Sequence, residues 1–559
     1  MAALPTPLLL LLATVIESAA TVALIPQYLP EHPLLWVFVR AIGLNVALYA
    51  FYRITIYPRL LSPLRHLPGP SGGKILLGHG LTTFERPSGT SSLKWMKEIP
   101  NDGLLHFRGF FNSPRLIITN PKILGELLVT KAYDFEKPKP ARDFLRKIIG
   151  DGLIIVEGDD HKFLRKNMMP VFSYRHIKNL YPIFWQKSVQ LLDGMQQEIA
   201  EKEQEAGEGK AVVEVNHWAT TVTMDIIGLA AMGKDFASMK NSDDPLVQVY
   251  EELLEPTFEK QLFFLLNMLF PQKLIGSLPW KVNERQKVIL DTLNKVTSGL
   301  VQDKKQSIKT ESDSHKDILS NCLKSETFSD PQLVDQLLTF LAAGHETTSS
   351  ALTWTTYLLA IHPEIQKSLR AEIRQAIPSP TSPSSEEGAD PTFDLAATLE
   401  SLPLLNAVCN EALRLYPTVP LTIRESVNPT TLGTQSIPIG TQIILPIHAM
   451  NRLPAFWGPD SELFTPERWI DTDEKTGERR PNNSGGAPSN YVNLTFLHGP
   501  RSCIGQGFAK AELRCLVAAV VGRFVMEMAD PHEVVVASGV ITTKPKNGMR
   551  LRMKGVGGW

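Results

Sequence analysis

The chain has 559 residues, 43% of them hydrophobic, which is ample apolar material for a large buried core. A formal net charge of −1 leaves no cationic surplus for nucleic acid or another polyanion, so no nucleic-acid partner is expected. The four cysteines are irregularly spaced with no CxxC pair, which excludes a disulfide framework or structural zinc site and fits a reducing environment.

In chain order, Leu8 to Ile25 is apolar apart from Glu17, and Leu34 to Tyr52 apart from Arg40 and Asn45. Each stretch is about long enough to cross a bilayer as a helix. No Lys or Arg precedes Arg40, whereas Arg53, Arg59, Arg65 and Lys74 follow the second stretch, so the positive-inside tendency puts the rest of the chain on the cytosolic side. The competing reading is a cleaved signal peptide processed near Ser18-Ala19-Ala20, but the stretch lacks the charged start of such a peptide. One span and two spans both stay open, because Arg40 in a bilayer is costly without a partner. Residues 1–56 are read as a membrane anchor. Residues 57–75, holding His66-Leu67-Pro68-Gly69-Pro70-Ser71-Gly72-Gly73, are read as a proline- and glycine-rich hinge, and residues 76–559 as the main body.

Ser329-Asp330-Pro331 is a helix start, and no further proline comes before Pro363. The spacing predicts a helix of about 30 residues, roughly 45 Å long. It is apolar nearly all round, so it should run through the centre of the protein. In mid-course stands Ala343-Gly344-His345-Glu346-Thr347-Thr348. Glycine is a poor helix former and threonine hydroxyls bond back to earlier carbonyls, so a local opening is expected there. An acid beside a hydroxyl in such an opening can hold water and pass protons; the alternative is a bend satisfied internally. A low-complexity stretch at 379–390 reads as a surface loop between helices. Farther on, Glu411 and Arg414 are three apart and share a helix face.

Cys322, Cys409 and Cys515 sit among apolar or helix-forming neighbours and read as small buried hydrophobes. Cys503 differs, lying in the run Phe496-Leu497-His498-Gly499-Pro500-Arg501-Ser502-Cys503-Ile504-Gly505 directly before an apolar helix. The helix N–H groups should lower its pKa and steady a thiolate. Gly499 and Gly505 let a flat cofactor lie against the backbone, Phe496 can cover the sulfur, and Arg501 can meet an acidic group. These are the parts needed to hold haem iron by one cysteine.

That run resembles, at every fixed position, the FxxGxRxCxG haem-binding loop of the cytochrome P450 family. The long-helix motif resembles the family's [AG]Gx[DE]T[TS], Glu411 and Arg414 its ExxR, and Pro466-Glu467-Arg468-Trp469 its PERW. The resemblance covers roughly residues 68–559 in the expected order. It implies a mostly α (α+β) fold with haem b (iron protoporphyrin IX) between the long helix and the Cys503 loop. Cys503 would be the metal ligand, Glu346 and Thr347 the proton-delivering pair, and Ala343-Gly344 would leave room above the iron. Glu411, Arg414 and Arg468 would form a buried structural network. The haem propionates would meet Arg501, Arg424, Arg165 and His161, where His161 stands in place of the tryptophan of WxxxR as a weaker, titratable donor. A surface histidine is the alternative.

The activity implied is a monooxygenase that inserts one atom of O2 into a lipophilic small molecule. Electrons would come from NADPH through a separate NADPH-cytochrome P450 reductase, docking near Lys162, Lys166, Lys510 and Arg514. The implied place is the endoplasmic reticulum membrane, and the motif set looks like fungal members that tailor terpenoids or polyketides. The substrate itself is not legible; pocket segments are expected at 144–155, 256–270, 417–422 and 540–543. Two rivals stay open: a haem-thiolate isomerase or dehydratase that needs no reductase, and a non-catalytic haem sensor. The Glu346–Thr347 pair speaks against both.

Overall fold

The computed structural model describes residues 6–24, 33–240, 248–249, 252, 257–310, 317–377, 393–539 and 541–559. The loop expected at 379–390, together with Pro256 and Val540 of the pocket segments, lies outside the described residues.

Two apolar helices come first, α1 (Thr6–Leu24) and α2 (Pro33–Phe51). The chain continues past α2 as a π-helical stretch, Tyr52–Leu61, around Pro58, whose ring lacks the N–H a regular helix needs. Among the described residues one helix is long and apolar enough to cross a membrane, Leu34–Leu61, with a shorter apolar helix at Leu8–Leu24. The polar residues that interrupt the two apolar stretches answer one another. The Asn45 amide donates to Thr14 Oγ1 at 3.1 Å and to Glu17 Oε2 at 2.7 Å, and the Arg40 guanidinium lies 4.0 Å over the Trp36 ring.

The stretch expected to act as a hinge is seated on the body. The His106 N–H donates to the Pro68 carbonyl at 2.8 Å, and a Cβ on Gly69 would run into the His106 carbonyl oxygen. Asn112, held at φ 54°, donates to the carbonyls of Ile54 at 2.8 Å and Ile75 at 2.7 Å. One side chain therefore ties the end of the anchor and the end of the hinge together.

The sheet part of the body is small. Strands β1 (Leu104–Arg108), β2 (Pro114–Ile118), β3 (Phe135–Glu136), β5 (Thr422–Ser426) and β6 (Gln442–Leu445) form one mixed sheet in the order β1-β2-β6-β5-β3. Only β2 and β6 are parallel. A second sheet joins β7 (Phe524–Met528), β8 (Arg550–Gly555) and β4 (Val212–Glu214). The helices that frame the centre are α3 (Gly158–Met168), α4 (Val215–Ile227), α5 (Asp330–Ile361), α6 (Pro403–Leu415) and α7 (Gln506–Arg523). One apolar core fills the helical part and another lies under the first sheet.

Helix α5 has 32 residues and ends directly before His362-Pro363. It starts in a capping box, in which Gln332 Oε1 accepts from the Ser329 N–H at 3.0 Å. The expected local opening is absent, and α5 is helical throughout. Gly344 is there for packing, not for room above a cofactor, since a Cβ on it would stand 2.5 Å from Ile227 Cδ1 of α4. Thr223 of α4 closes the same contact by donating to the His345 carbonyl at 3.0 Å.

Glu411 and Arg414 of α6 are wholly buried and paired, Arg414 Nε and Nη2 each donating to a Glu411 oxygen at 2.7 Å. The same carboxylate accepts from Arg468 Nε at 3.1 Å, Trp469 Nε1 at 2.8 Å and the Thr465 N–H at 3.0 Å. Arg414 Nη1 donates to the carbonyls of Asn451 at 2.7 Å and Ser461 at 2.6 Å. Asn451 passes the network on: it donates to the Arg414 carbonyl at 3.1 Å and to Thr495 Oγ1 at 2.9 Å, and accepts from the Leu494 N–H at 3.0 Å. The Cys503 loop begins at the next residue, Phe496. Removing one partner leaves an uncompensated buried charge, which costs about 3–5 kcal/mol. Arg414→Ala and Glu411→Ala should each lower thermal stability and yield protein without the ferrous-carbon monoxide band. A variant that melts like the wild type and still holds haem would remove the network from this role.

Candidate active site

The Cys503 loop is shaped by backbone contacts. The Cys503 N–H donates to the Phe496 carbonyl at 2.9 Å, and Leu497 and Gly499 adopt positive φ of 54° and 75°. Gly499 was expected to admit a cofactor, but a Cβ there would strike the Leu128 carbonyl oxygen, so the glycine serves the turn. Gly505 fits the expectation better: its nearest neighbour is Phe172 at 3.9 Å. Cys503 lies deep in the body and yet its side chain is uncovered, so it faces an interior space. The expected lowering of its pKa is reversed. Burial pushes the free thiol up, while the Gly505 N–H and then the Arg165 charge pull against it. The other three cysteines are buried, as expected.

Around the loop the charges do not balance. Arg165 donates from both Nη atoms to Ser502, to its carbonyl and at 3.2 Å to its hydroxyl. Arg501 donates to the carbonyls of Ala132 and Phe135 and pairs with Glu157, with both partners almost wholly buried. Arg501 Nε, also buried, has no hydrogen-bond partner among the described residues. Arg424 is buried and donates to Thr422 Oγ1 at 3.1 Å and the Ile423 carbonyl at 3.0 Å. Lys137 stands 3.9 Å from Glu157 and feels Arg424, Arg501 and Arg142; burial first, then those charges, lower its pKa to about 7. Arg142 is itself paired with Glu136 at 2.8 Å.

Lys137, Arg424 and Arg501 thus share one carboxylate, Glu157, in an interior where unpaired charge is costly, and Arg165 acts on the same His161 as they do. A dianionic group of the size of haem, with its two propionates, fits this surplus. His161 sits in the middle of the cluster at 3% exposure, its Nδ1 3.1 Å from the Tyr133 hydroxyl. The surface-histidine reading is overturned. Burial and the Arg501 charge hold His161 at about 4, so it is a neutral hydrogen-bonding group at physiological pH and does not titrate there.

On α5, residues 336–341 and 348–356 are almost continuously buried, whereas Ala342 to Gly344, Glu346 and Thr347 are only half-buried, so the helix borders an interior space in mid-course. The Thr347 hydroxyl donates to the Ala343 carbonyl at 2.7 Å, and Ser349 Oγ to the Glu346 carbonyl at 3.0 Å. Burial raises the Glu346 pKa, offset by the Lys544 charge and a hydrogen bond from Thr542. A carboxyl group so placed holds its proton more firmly than one in water. The Thr543 carbonyl accepts from Ser350 Oγ at 2.5 Å and Trp354 Nε1 at 3.1 Å, which clamps the C-terminal loop to α5. Two expected pocket segments also meet, the Phe144 ring lying 6.1 Å from Phe263 and 5.2 Å from Phe264.

Two of the expected docking cations are committed elsewhere. Arg514 donates to Asn406 Oδ1 at 2.6 Å and the Tyr181 hydroxyl at 3.3 Å, and Lys510 lies 5.8 Å over the Phe496 ring, lowered by burial to about 8. Lys162 and Lys166 are exposed. Lys137, Glu157 and Asn451 escaped the sequence reading because no local spacing marks them; each is defined by what the fold brings to it.

The family model that matches this chain is described as Cytochrome P450 and covers residues 76–551. The chain is similar to cytochrome P450 monooxygenase sphH of Aspergillus fumigatus, 40% identical over 517 residues and 91% of each chain. It is similar to cytochrome P450 monooxygenase buaD of Petromyces alliaceus, 36% identical over 99% of each chain. It also resembles cytochrome P450 monooxygenase FUM15 of Gibberella moniliformis, 36% identical over 89% of each. The motifs, the fold and these matches point the same way, and the chain belongs to the cytochrome P450 family.

Proposed function

We propose that the protein is a membrane-anchored monooxygenase that inserts one oxygen atom of O2 into a lipophilic small molecule in fungal secondary metabolism. The observation that carries this reading is the uncovered Cys503 in the loop that leads into α7, a helix packed against α5, whose Glu346–Thr347 turn is half-buried. Haem, when bound, supplies the O2 chemistry, with a thiolate ligand favouring O–O cleavage.

The chain's own residues do the rest. Cys503 holds the metal; Arg165, Arg424, Arg501 through its free Nε, and neutral His161 meet the propionates. Burial raises the Glu346 pKa, so its proton is held more firmly than in water, and the Thr347 hydroxyl stands on the same turn, donating to the Ala343 carbonyl. A rearranging enzyme without a reductase needs neither, which favours the monooxygenase reading. Reductase-supplied electrons would enter on the side of the exposed Lys162 and Lys166. The apolar helix Leu34–Leu61 and the shorter Leu8–Leu24, with Arg65 and Lys74 following, support residues 1–56 as anchor in the endoplasmic reticulum membrane, residues 57–75 as hinge, and residues 76–559 as the catalytic domain in the cytosol. Exposed Phe258, Phe270 and Leu274 add an apolar surface for the same bilayer.

Thr347→Ala should keep the haem spectrum yet divert electrons, so that NADPH consumption continues while product falls and hydrogen peroxide rises. Glu346→Gln should slow turnover on the order of 10²-fold, because an amide cannot relay a proton. Glu346 donates best while protonated, so wild-type turnover should decline as pH rises through its raised pKa, and the Gln variant should show no such decline. Full product formation by the double variant without any reductase would favour the isomerase.

The charge cluster gives a test that needs no substrate. Lys137 is half-neutral near pH 7, and a propionate beside it would restore its proton, so haem capture takes up a proton above that pH. The affinity of the apoprotein for haem should therefore fall from about pH 6 to about pH 9, and Lys137→Met should flatten the fall. Equal wild-type affinity at both pH values would take Lys137 out of the site.

A further inference from the structure

Glu512 has no part in the chemistry above, and its setting is unusual. It lies in α7, which follows the Cys503 loop, and is 1% exposed. Neither carboxyl oxygen has a hydrogen-bond partner among the described residues, and no ion pair involves it. The Thr348 hydroxyl of α5, on the residue next to Thr347, is close enough to act on the carboxyl group although the two are not in hydrogen-bond geometry. Its other titratable neighbour is the buried Cys515 thiol on its own helix, while the Arg514 side chain is bonded to Asn406 and Tyr181.

A carboxylate without a cation or donors in such a place costs several kcal/mol. The group can avoid that cost by keeping its proton, and burial drives it firmly in that direction. A neutral carboxyl is both donor and acceptor, and so is a threonine hydroxyl, so the two match each other. Helix α7 packs on α5, and apart from Glu512 the buried residues of α7 are apolar. Apolar contact resists separation but is tolerant of sliding and rotation, whereas one directional contact in a dry interface fixes both.

We propose that Glu512 is a positioning residue: a neutral carboxyl group that locks Thr348 and so sets the rotation of the α5 turn carrying Glu346 and Thr347. It joins the helix behind the cysteine loop to the helix that bears the proton-delivering pair. The consequence for oxygen chemistry rests on the role proposed above for Thr347; the mechanical role does not.

The experiment uses the full-length, haem-loaded protein and the variants Glu512→Gln, Glu512→Leu and Thr348→Val. Infrared difference spectra of wild type against Glu512→Gln should carry the carbonyl band of a protonated acid, unchanged from about pH 6 to about pH 9. A band that titrates in this range, or a carboxylate signal instead, overturns the proposal. Hydrogen exchange at the amides of residues 342–349 should speed up several-fold in Glu512→Leu and Thr348→Val and stay near wild type in Glu512→Gln. If Glu512→Leu fails to bind haem, Thr348→Val decides alone, because it is nearly isosteric. Unchanged exchange in Thr348→Val overturns the proposal. With reductase and NADPH, the peroxide share should rise in the Leu and Val variants and not in the Gln variant. If exchange and infrared results hold while Thr347→Ala leaves the peroxide share unaltered, the lock stands and the reading of Thr347 falls.

Discussion

The carboxylate of Glu411 is the fixed point of this protein. It is wholly buried and accepts from two arginines, a tryptophan and a backbone N–H. An anion at that depth is tolerable only because every lone-pair direction is met, and the donors come from segments far apart in sequence. Helix α6, the 465–469 segment and, through Asn451, the approach to the Cys503 loop are thereby held in one mutual geometry. Apolar packing alone would bring these segments together without fixing their register. The loop geometry, down to the positive φ of Leu497 and Gly499, depends on its entry being held still.

The neighbouring cluster has the opposite character. Around Glu411 the charges close on themselves; around Glu157 they do not. Lys137, Arg424 and Arg501 crowd a single carboxylate, and Arg501 Nε is left without a partner among the described residues. The fold stores in this region an electrostatic deficit that a dianion relieves. Binding and folding are then linked by mass action, because whatever neutralises the cluster stabilises the native chain. The network around Glu411 closes on the protein's own groups, whereas a bound dianion would complete the cluster.

The parts of the site that sequence made legible are those whose partners are close in the chain. Glu411 and Arg414 share a helix turn, Ser329-Asp330-Pro331 open the long helix, and Cys503 sits in a loop directly before an apolar helix. Each of these was found where the spacing put it. The misreadings have a common cause as well. Gly344 and Gly499 looked like room for a ligand, and both turned out to admit other protein, Ile227 in one case and the Leu128 carbonyl in the other. A missing side chain says that something approaches, never what. Arg514 and Lys510 looked like surface cations because their depth is set by the packing of α7, which no local pattern records. Glu512 shows the limit most plainly, since a lone acid in a helix carries no mark of burial. The expected break in α5 failed for a milder reason: Thr347 does bond back to Ala343, but α5 remains helical throughout.

The joint at Asn112 bears on how an anchored body would lie against a bilayer. One amide holds the carbonyls of Ile54 and Ile75, and the intervening stretch is stapled to β1 at Pro68. A flexible tether would let the body tumble above the bilayer and present its openings in all directions. A stapled one makes the anchor a mast, and the lean of the body becomes a property encoded in the chain. Held in a bilayer by such a mast, the body would turn one and the same face to the acyl layer.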